Sequence, residues 1–341
     1  MGLIELGMWR IERYRPEMKE IWDSFVDGSR NSTFLFRRDY MDYHSDRFAD
    51  CSWVVWNDSR LMALLPANLT EDGILHSHQG LTYGGWILPP NHLDGSMLLE
   101  IFNEAIAVWR REGIKALDYK PLPWIYADRP SQEDIYALWR LGADLSACLL
   151  SSTLDMSEGL RLNTLRRRTL RKAEKTEAEI RQIENAEEIM ALVDACLAER
   201  YGARAVHSSA EMRRLMATFP DHIKAYGAYL PDQAPGPQAG VVLYDCGQTV
   251  HTQYIATTTA GRESNLLTLL FCRLIESGMF TQNRYFDFGT SNEEGGHYLN
   301  AGLLRQKYSF GATGVAYTRW HLDFNSLPCF SALRASDREI G

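Results

Sequence analysis

Glu293, Glu294 and His297 put two carboxylates and an imidazole within a few residues of one another. Side chains of these types accept protons near neutral pH, which is what deprotonating an amine nucleophile requires. They stand just beyond Tyr285-Phe-Asp-Phe288, an aromatic run with the β-propensity of a buried strand. Gly289-Thr-Ser-Asn292, between the two, has the composition of a turn or helix start. Sites commonly sit on such strand ends in α/β layers. Asp287, inside the strand, reads as an interior hydrogen-bonding residue.

A second group lies upstream. Ala260, Gly261, Arg262, Glu263, Ser264 and Asn265 open a helix expected at 266–277. Helix N-termini present unpaired N–H groups and the positive end of the dipole, so an anion is expected at this backbone, with Arg262 adding charge. Ser264 or Asn265 equally suits a plain N-cap. On the substrate side, Gly84 and Gly85 permit close approach of backbone to a ligand, with Tyr83 and Trp86 as walls; a tight turn is the alternative. Arg37, Arg204, Asn292 and Tyr308 complete that set. His76 and His78 stand at strand spacing, but no Cys or carboxylate completes a metal-binding pattern, so both read as hydrogen-bonded structural histidines and no metal is expected.

The elements that position these residues occur twice. Helical segments at 17–30 and 39–48, strands at 52–56, 61–68 and 74–78, a helix at 97–111, a strand at 114–119, a helix at 135–140 and a strand at 149–156 make the first set. Helices at 187–199 and 210–218, strands at 225–230, 239–244 and 249–256, and the 266–277 helix make the second, with an exposed loop at 231–237. Asp118 to Asp287 spans 169 positions, and so does Gly142 to Gly311. Phe102 and Ile106 fall opposite Phe271 and Ile275 at the same offset. Equal offsets through helix, strand and turn predict a duplication, with domains at 1–157 and 158–341. The unit is far longer than a solenoid repeat.

A chain of 341 residues is long for one core and comfortable for two. Its 45% hydrophobic and 23% charged residues are ordinary for a globular protein. A net charge of −8 argues against a generally basic nucleic-acid binder. Locally the balance reverses: Arg161 to Lys175 carries seven basic residues against one Glu, which reads as a solvated helix face or a contact for phosphates, carboxylates or an anionic surface. Six scattered cysteines without a CxxC pair imply neither zinc nor a disulfide framework. No apolar run approaches a membrane span, and the N-terminus carries charge too early for a signal peptide, so a cytoplasmic protein is expected.

The order of elements in each half is similar to the GNAT acyltransferase fold. Two in tandem resemble the Fem-type (FemAB-like) peptidyltransferases and the related CelD-like acetyltransferases. Three pieces carry the resemblance: Leu165-Arg-Arg-Arg-Thr-Leu-Arg-Lys-Ala-Glu-Lys175, Tyr285-Phe-Asp-Phe-Gly289, and Lys307-Tyr-Ser-Phe-Gly311, which is similar to the family's Phe-Lys-x-x-Phe-Gly. Gln306 stands where that motif usually has Phe. The resemblance implies an α/β (α+β) fold of two GNAT-like domains, each a mixed, mostly antiparallel sheet flanked by helices. It places Lys307 in the transferase site, where its charge would stabilise the developing oxyanion. It also implies acyl-CoA, such as acetyl-CoA, as co-substrate, although Ala260–Asn265 departs from the Arg/Gln-x-x-Gly-x-Gly/Ala loop usual there. The expected reaction is acyl transfer to an amine of a small molecule, amino sugar or peptide, with the acceptor on the first domain and the donor on the second. Two alternatives stand beside it: an aminoacyl-tRNA-dependent peptidyltransferase of cell-wall precursor synthesis, and a catalytically silent binding module. The Fem-type coiled-coil arm for tRNA is not visible.

Overall fold

The apolar residues of the 97–111 stretch recur at the spacing of one helix face, and the helix they form organises the first half of the chain. The computed structural model describes residues 9–327 except 232 and 234. Cys329, the first eight residues and two positions of the expected 231–237 loop therefore lie outside the described residues. The described residues pack as two units, one running through Cys148 and resuming at Tyr317, the other comprising Leu149–Ala316.

In the first unit, β1 (Arg10–Arg13), β2 (Trp53–Asn57) and β3 (Arg60–Leu65) form an antiparallel three-stranded sheet. Helices α1 (Lys19–Gly28) and α2 (Arg38–Met41) lie between β1 and β2 in the chain. β4 (Asn68–Leu69) pairs antiparallel with β5 (Ile74–His76), which pairs parallel with β6 (Ala116–Tyr119). A parallel pair requires a crossover, and α3 (Gly95–Arg111) supplies it. Asp94 caps α3 by accepting from the N–H groups of Ser96 and Met97, at 2.9 Å each. Its buried face is Leu98, Ile101, Phe102, Ala105, Ile106 and Trp109. These pack with Trp53, Trp86 and Leu117 in one apolar core, and α4 (Glu133–Arg140) lies against α3.

The second unit opens within β7 (Asp144–Asp155) and continues through α5 (Thr164–Glu174), β8 (Glu179–Ile183), α6 (Ala186–Tyr201) and α7 (Ser209–Thr218). β9 (Ile223–Tyr229), β10 (Ala239–Asp245) and β11 (Thr249–Thr257) follow, then α8 (Thr259–Glu263) and α9 (Leu266–Glu276). β8 to β11 are successive antiparallel neighbours, and β11 pairs parallel with β12 (Tyr285–Thr290). A small hairpin of β13 (Asn292–Glu293) and β14 (Tyr298–Leu299) leads to α10 (Ala301–Tyr308) and β15 (Thr313–Asp323). The stretch after α10 is one long strand. Phe271, Phe286, Phe288 and Phe310 cluster with Leu266, Leu270 and Val241 as this unit's core.

The repeat visible in sequence returns as matched geometry. Gly142 and Gly311 both adopt positive φ, at +79° and +98°. The last registered pair of each parallel couple joins a histidine to an aspartate, His76 to Asp118 and His251 to Asp287. One feature breaks simple tandem order. The strand beside β6 is the C-terminal end of β15, and the strand beside β12 is the C-terminal end of β7. Each of these partner strands lies far along the chain from the strand it pairs with.

Candidate active site

β11 and β12 stay in parallel register for three residue pairs, ending at His251↔Asp287. β11 then continues to Thr257 and β12 to Thr290, so the two strands part. Irregularities on both sides accompany the parting. The β10–β11 register shifts between Val242 and Leu243, leaving Gln253 as an extra residue in β11. The β12–β7 register shifts between Asp287 and Thr290, where Gly289 takes φ +75°. Strands that part leave N–H and C=O groups without ladder partners, the kind of group that can bind and polarise a carbonyl.

Asp287 sits at this point, completely buried. One of its oxygens accepts from the Ser151 and Thr153 hydroxyls, and the other lies 2.8 Å from His251 Nδ1. The His251 side chain is 12% exposed, so the ring reaches the edge of the interior. A carboxylate against Nδ1 fixes the ring's orientation and makes Nε2 the basic nitrogen. Thr252, the first β11 residue past the registered pairs, and Ser291, the first after β12, have buried hydroxyls without a protein partner. Each such group costs about 1–3 kcal/mol unless water or a ligand completes it.

Lys307, on α10, closes the arrangement. It is 6% exposed, and its ammonium donates to the carbonyls of Gly289 (2.8 Å) and Thr290 (2.7 Å). The bulge at Gly289 is what turns those carbonyls away from the ladder and toward the helix. Burial pushes the Lys307 amine down to about 8, with nearby Asp287 opposing the shift. A lysine in this state is still mostly charged at neutral pH.

The other residues singled out in the sequence are scattered. Glu293, Glu294 and His297 come together on the exposed β13–β14 hairpin directly after β12, and Glu293 accepts from Asn300 at 2.9 Å. Asn292 is engaged locally, accepting from the Leu150 N–H at 2.6 Å, and Tyr308 is 39% exposed at the end of α10. Arg204 is exposed in the α6–α7 connection. Arg37, in the first unit, forms a two-oxygen pair with Asp27 at 2.8 Å. Tyr83 is buried, and the glycines beside it serve internal packing. A Cβ on Gly84 would lie 1.9 Å from the Ser77 carbonyl oxygen, and one on Gly85 2.6 Å from the Tyr119 hydroxyl. Gly84→Ala is therefore expected to cost about 3 kcal/mol or more in urea unfolding, since the obstruction is backbone and cannot rotate away. A loss below about 1 kcal/mol would mean the loop moves freely. His76 has a hydrogen-bonding partner in Asp118, but His78 departs from expectation. It adopts φ +66° beyond the end of β5, stacks on His44 at 5.0 Å, and its Nδ1 has no protein partner.

At 260–265 the structure differs from a single helix start. Thr258 caps the short α8 by accepting from the Gly261 N–H at 3.1 Å, and Asn265 in the left-handed region (φ +59°) separates α8 from α9. Gly261 faces the Gln238 carbonyl, where a Cβ would come within 2.1 Å. The Arg262 guanidinium bonds Thr257 O, Thr259 and Glu199. The Thr259 and Ala260 N–H groups precede the first intrahelical bond, from the Arg262 N–H to the Thr258 carbonyl.

His251 escaped the sequence reading. A signal existed: in both halves the paired histidine and aspartate are each the third residue of their strand.

Residues 161–298 match the family model described as an acetyltransferase (GNAT) domain. Among solved structures, FemX aligns over 92% of this chain and 97% of its own, with TM-score 0.66 and 10% identity. The chain has the tandem-GNAT fold of FemX, and its residues 161–298 match a GNAT domain. L-PGS from Bacillus licheniformis aligns over 97% of this chain and 98% of its own (TM-score 0.58, 12% identity). A tandem GNAT protein from the clavulanic acid biosynthesis pathway covers 93% and 98% (TM-score 0.51, 13% identity). No curated protein sequence matches this tandem-GNAT chain. Among the described residues no helix is long and apolar enough to cross a membrane, and no set of three His, Cys, Asp or Glu is arranged to hold a metal.

Proposed function

We propose that this tandem-GNAT protein is a cytoplasmic acyltransferase that moves an acyl group from acyl-CoA, such as acetyl-CoA, to an amine of a small molecule, amino sugar or peptide. The observation that carries the reading is the parting of β11 and β12 with the Lys307 ammonium at its edge, next to the matched GNAT domain. In the reaction the amine nitrogen bonds to the acyl carbon and the carbon–sulfur bond breaks. The amine's proton passes to a base, and the CoA sulfur leaves with the bonding pair. Backbone N–H groups at the parted strands receive the carbonyl oxygen, and Lys307 adds positive charge as that oxygen becomes negative. His251, oriented by Asp287, is the buried proton acceptor. Glu293, Glu294 and His297 on the following hairpin are the exposed ones. The Thr259 and Ala260 N–H groups, with Gly261, Arg262, Glu263, Ser264 and Asn265 around them, take the donor's phosphates. Asn292 and Tyr308 lie on the acceptor's approach.

The clavulanic-pathway relative, described in its form without AcCoA, supports this donor. The likeness to FemX and L-PGS favours the second reading, an aminoacyl-tRNA-dependent peptidyltransferase of cell-wall precursor synthesis. A melting-temperature screen separates them, because only a ligand of the native state raises it. Acetyl-CoA and CoA are expected to raise the melting temperature, and release of free thiol from acetyl-CoA is expected on adding an amine panel. A shift with charged tRNA alone would reverse the choice of donor.

A further inference from the structure

The row that holds Asp287 occurs again in the first unit. His76 on β5, Asp118 on β6 and His321 on β15 are neighbours across three adjacent strands, as His251, Asp287 and Thr153 are on β11, β12 and β7. His76 Nδ1 lies 3.3 Å from one Asp118 oxygen, and His321 Nδ1 lies 2.6 Å from the other. This second row is open where the first is sealed: the side chains of Asp118 and His321 are 39% and 37% exposed. Thr153, which gives Asp287 a hydroxyl, is replaced at the matching place by an imidazole.

Two cations continue the row. Lys120 follows β6, and Arg319 precedes the registered Trp320↔Tyr119 pair. By strand alternation they extend the face that carries Asp118 and His321. Lys120 donates to the Leu81 carbonyl, and among the described residues neither it nor Arg319 is paired with a carboxylate. Burial brings the Lys120 amine down to about 7, and the Arg319 guanidinium pushes the same way. Asp118 is bonded to the two imidazoles and forms an ion pair with neither cation. Asp72 is the other carboxylate acting on His76. Like charges side by side without a paired counter-charge are unfavourable, and a bound anion removes the cost.

We propose that this face of the first unit is a binding site for a phosphate-class oxyanion, held by His321, Arg319 and Lys120. Asp118 accepts from Nδ1–H of His321, which leaves Nε2 as the ring atom that meets the anion, donating to it as the imidazolium. His76 steadies Asp118 from the opposite side. The site is independent of the acyl-transfer reading, since it uses no residue of the second unit's site.

The test is a titration of the full chain with inorganic phosphate at constant ionic strength, followed by histidine ring NMR. His76→Gln and His321→Gln identify the two signals. Both are expected to shift saturably with phosphate. Arg319→Gln, an exposed change that leaves the core intact, is expected to weaken binding about tenfold, as loss of one charge-assisted hydrogen bond does. Lys120→Met should act in the same direction. A shift that does not saturate, or that Arg319→Gln leaves unchanged, overturns the site. Acetate binding as tightly as phosphate overturns the assignment to the phosphate class.

Discussion

Lys307→Met is expected to lower the turnover of acyl transfer about 100-fold or more while leaving the apparent affinity for substrates nearly unchanged. The reason is differential: a charge aimed at an oxygen that becomes negative acts in the transition state, and much less on the bound ground state. Methionine retains the apolar stem that α10 buries and removes only the ammonium. The pH dependence sharpens the test. With its amine pushed down to about 8, the useful charge is lost as pH rises through that value, so the wild-type rate should fall there. The variant should lack that limb. Stability moves the opposite way. The folded chain releases the Lys307 proton near 8, whereas an unfolded lysine holds it to the ordinary value of 10.5. The unfolded state therefore binds more protons between those values, and wild-type stability should rise across that window relative to Lys307→Met. Equal catalytic efficiency in the two proteins would make Lys307 a structural clamp on the Gly289 and Thr290 carbonyls.

The largest effect on stability is expected at Asp287. Its side chain is fully buried and accepts from two hydroxyls while facing His251. Asp287→Ala removes the acceptor and strands three polar partners in the core, at a cost of about 3–5 kcal/mol in denaturant unfolding. Asp118→Ala is the internal control. Its row has the same register but is open to water, so the loss should stay below about 1 kcal/mol. Asp287→Asn should keep much of the stability, because an amide oxygen still accepts from Ser151 and Thr153. It should nonetheless reduce the rate, since the amide no longer holds His251 in one tautomer. Equal costs for Asp287→Ala and Asp118→Ala would show that burial of the second-unit row contributes nothing.

Much of this architecture was legible in the chain. The 97–111 and 266–277 helices announce themselves by apolar spacing, and an aromatic run marks β12, because both signals depend on residues close in sequence. Lys307 was found through a motif, not a contact. The glycines at 84 and 85 were misleading as a ligand approach, because a glycine that admits a substrate and one that admits the Ser77 carbonyl look alike in sequence. Arg262 looked like free charge for an anion, but Glu199, which binds it, lies 63 positions away.

The sequence by itself determined that there are two copies of one plan, where their long helices fall, and that the second copy ends its central strand in a polar loop. Those are properties of local pattern and of equal offsets. The tertiary structure alone decided which strand lies beside β6 and which beside β12, since β6 takes β15 and β12 takes β7 across long separations in the chain. That exchange puts Thr153 beside Asp287 and His321 beside Asp118, and so makes one row buried and the other open. No neighbour along the chain carries that information. It arises from hydrogen-bonded pairing between strands, where the register, not the sequence distance, sets which side chains meet.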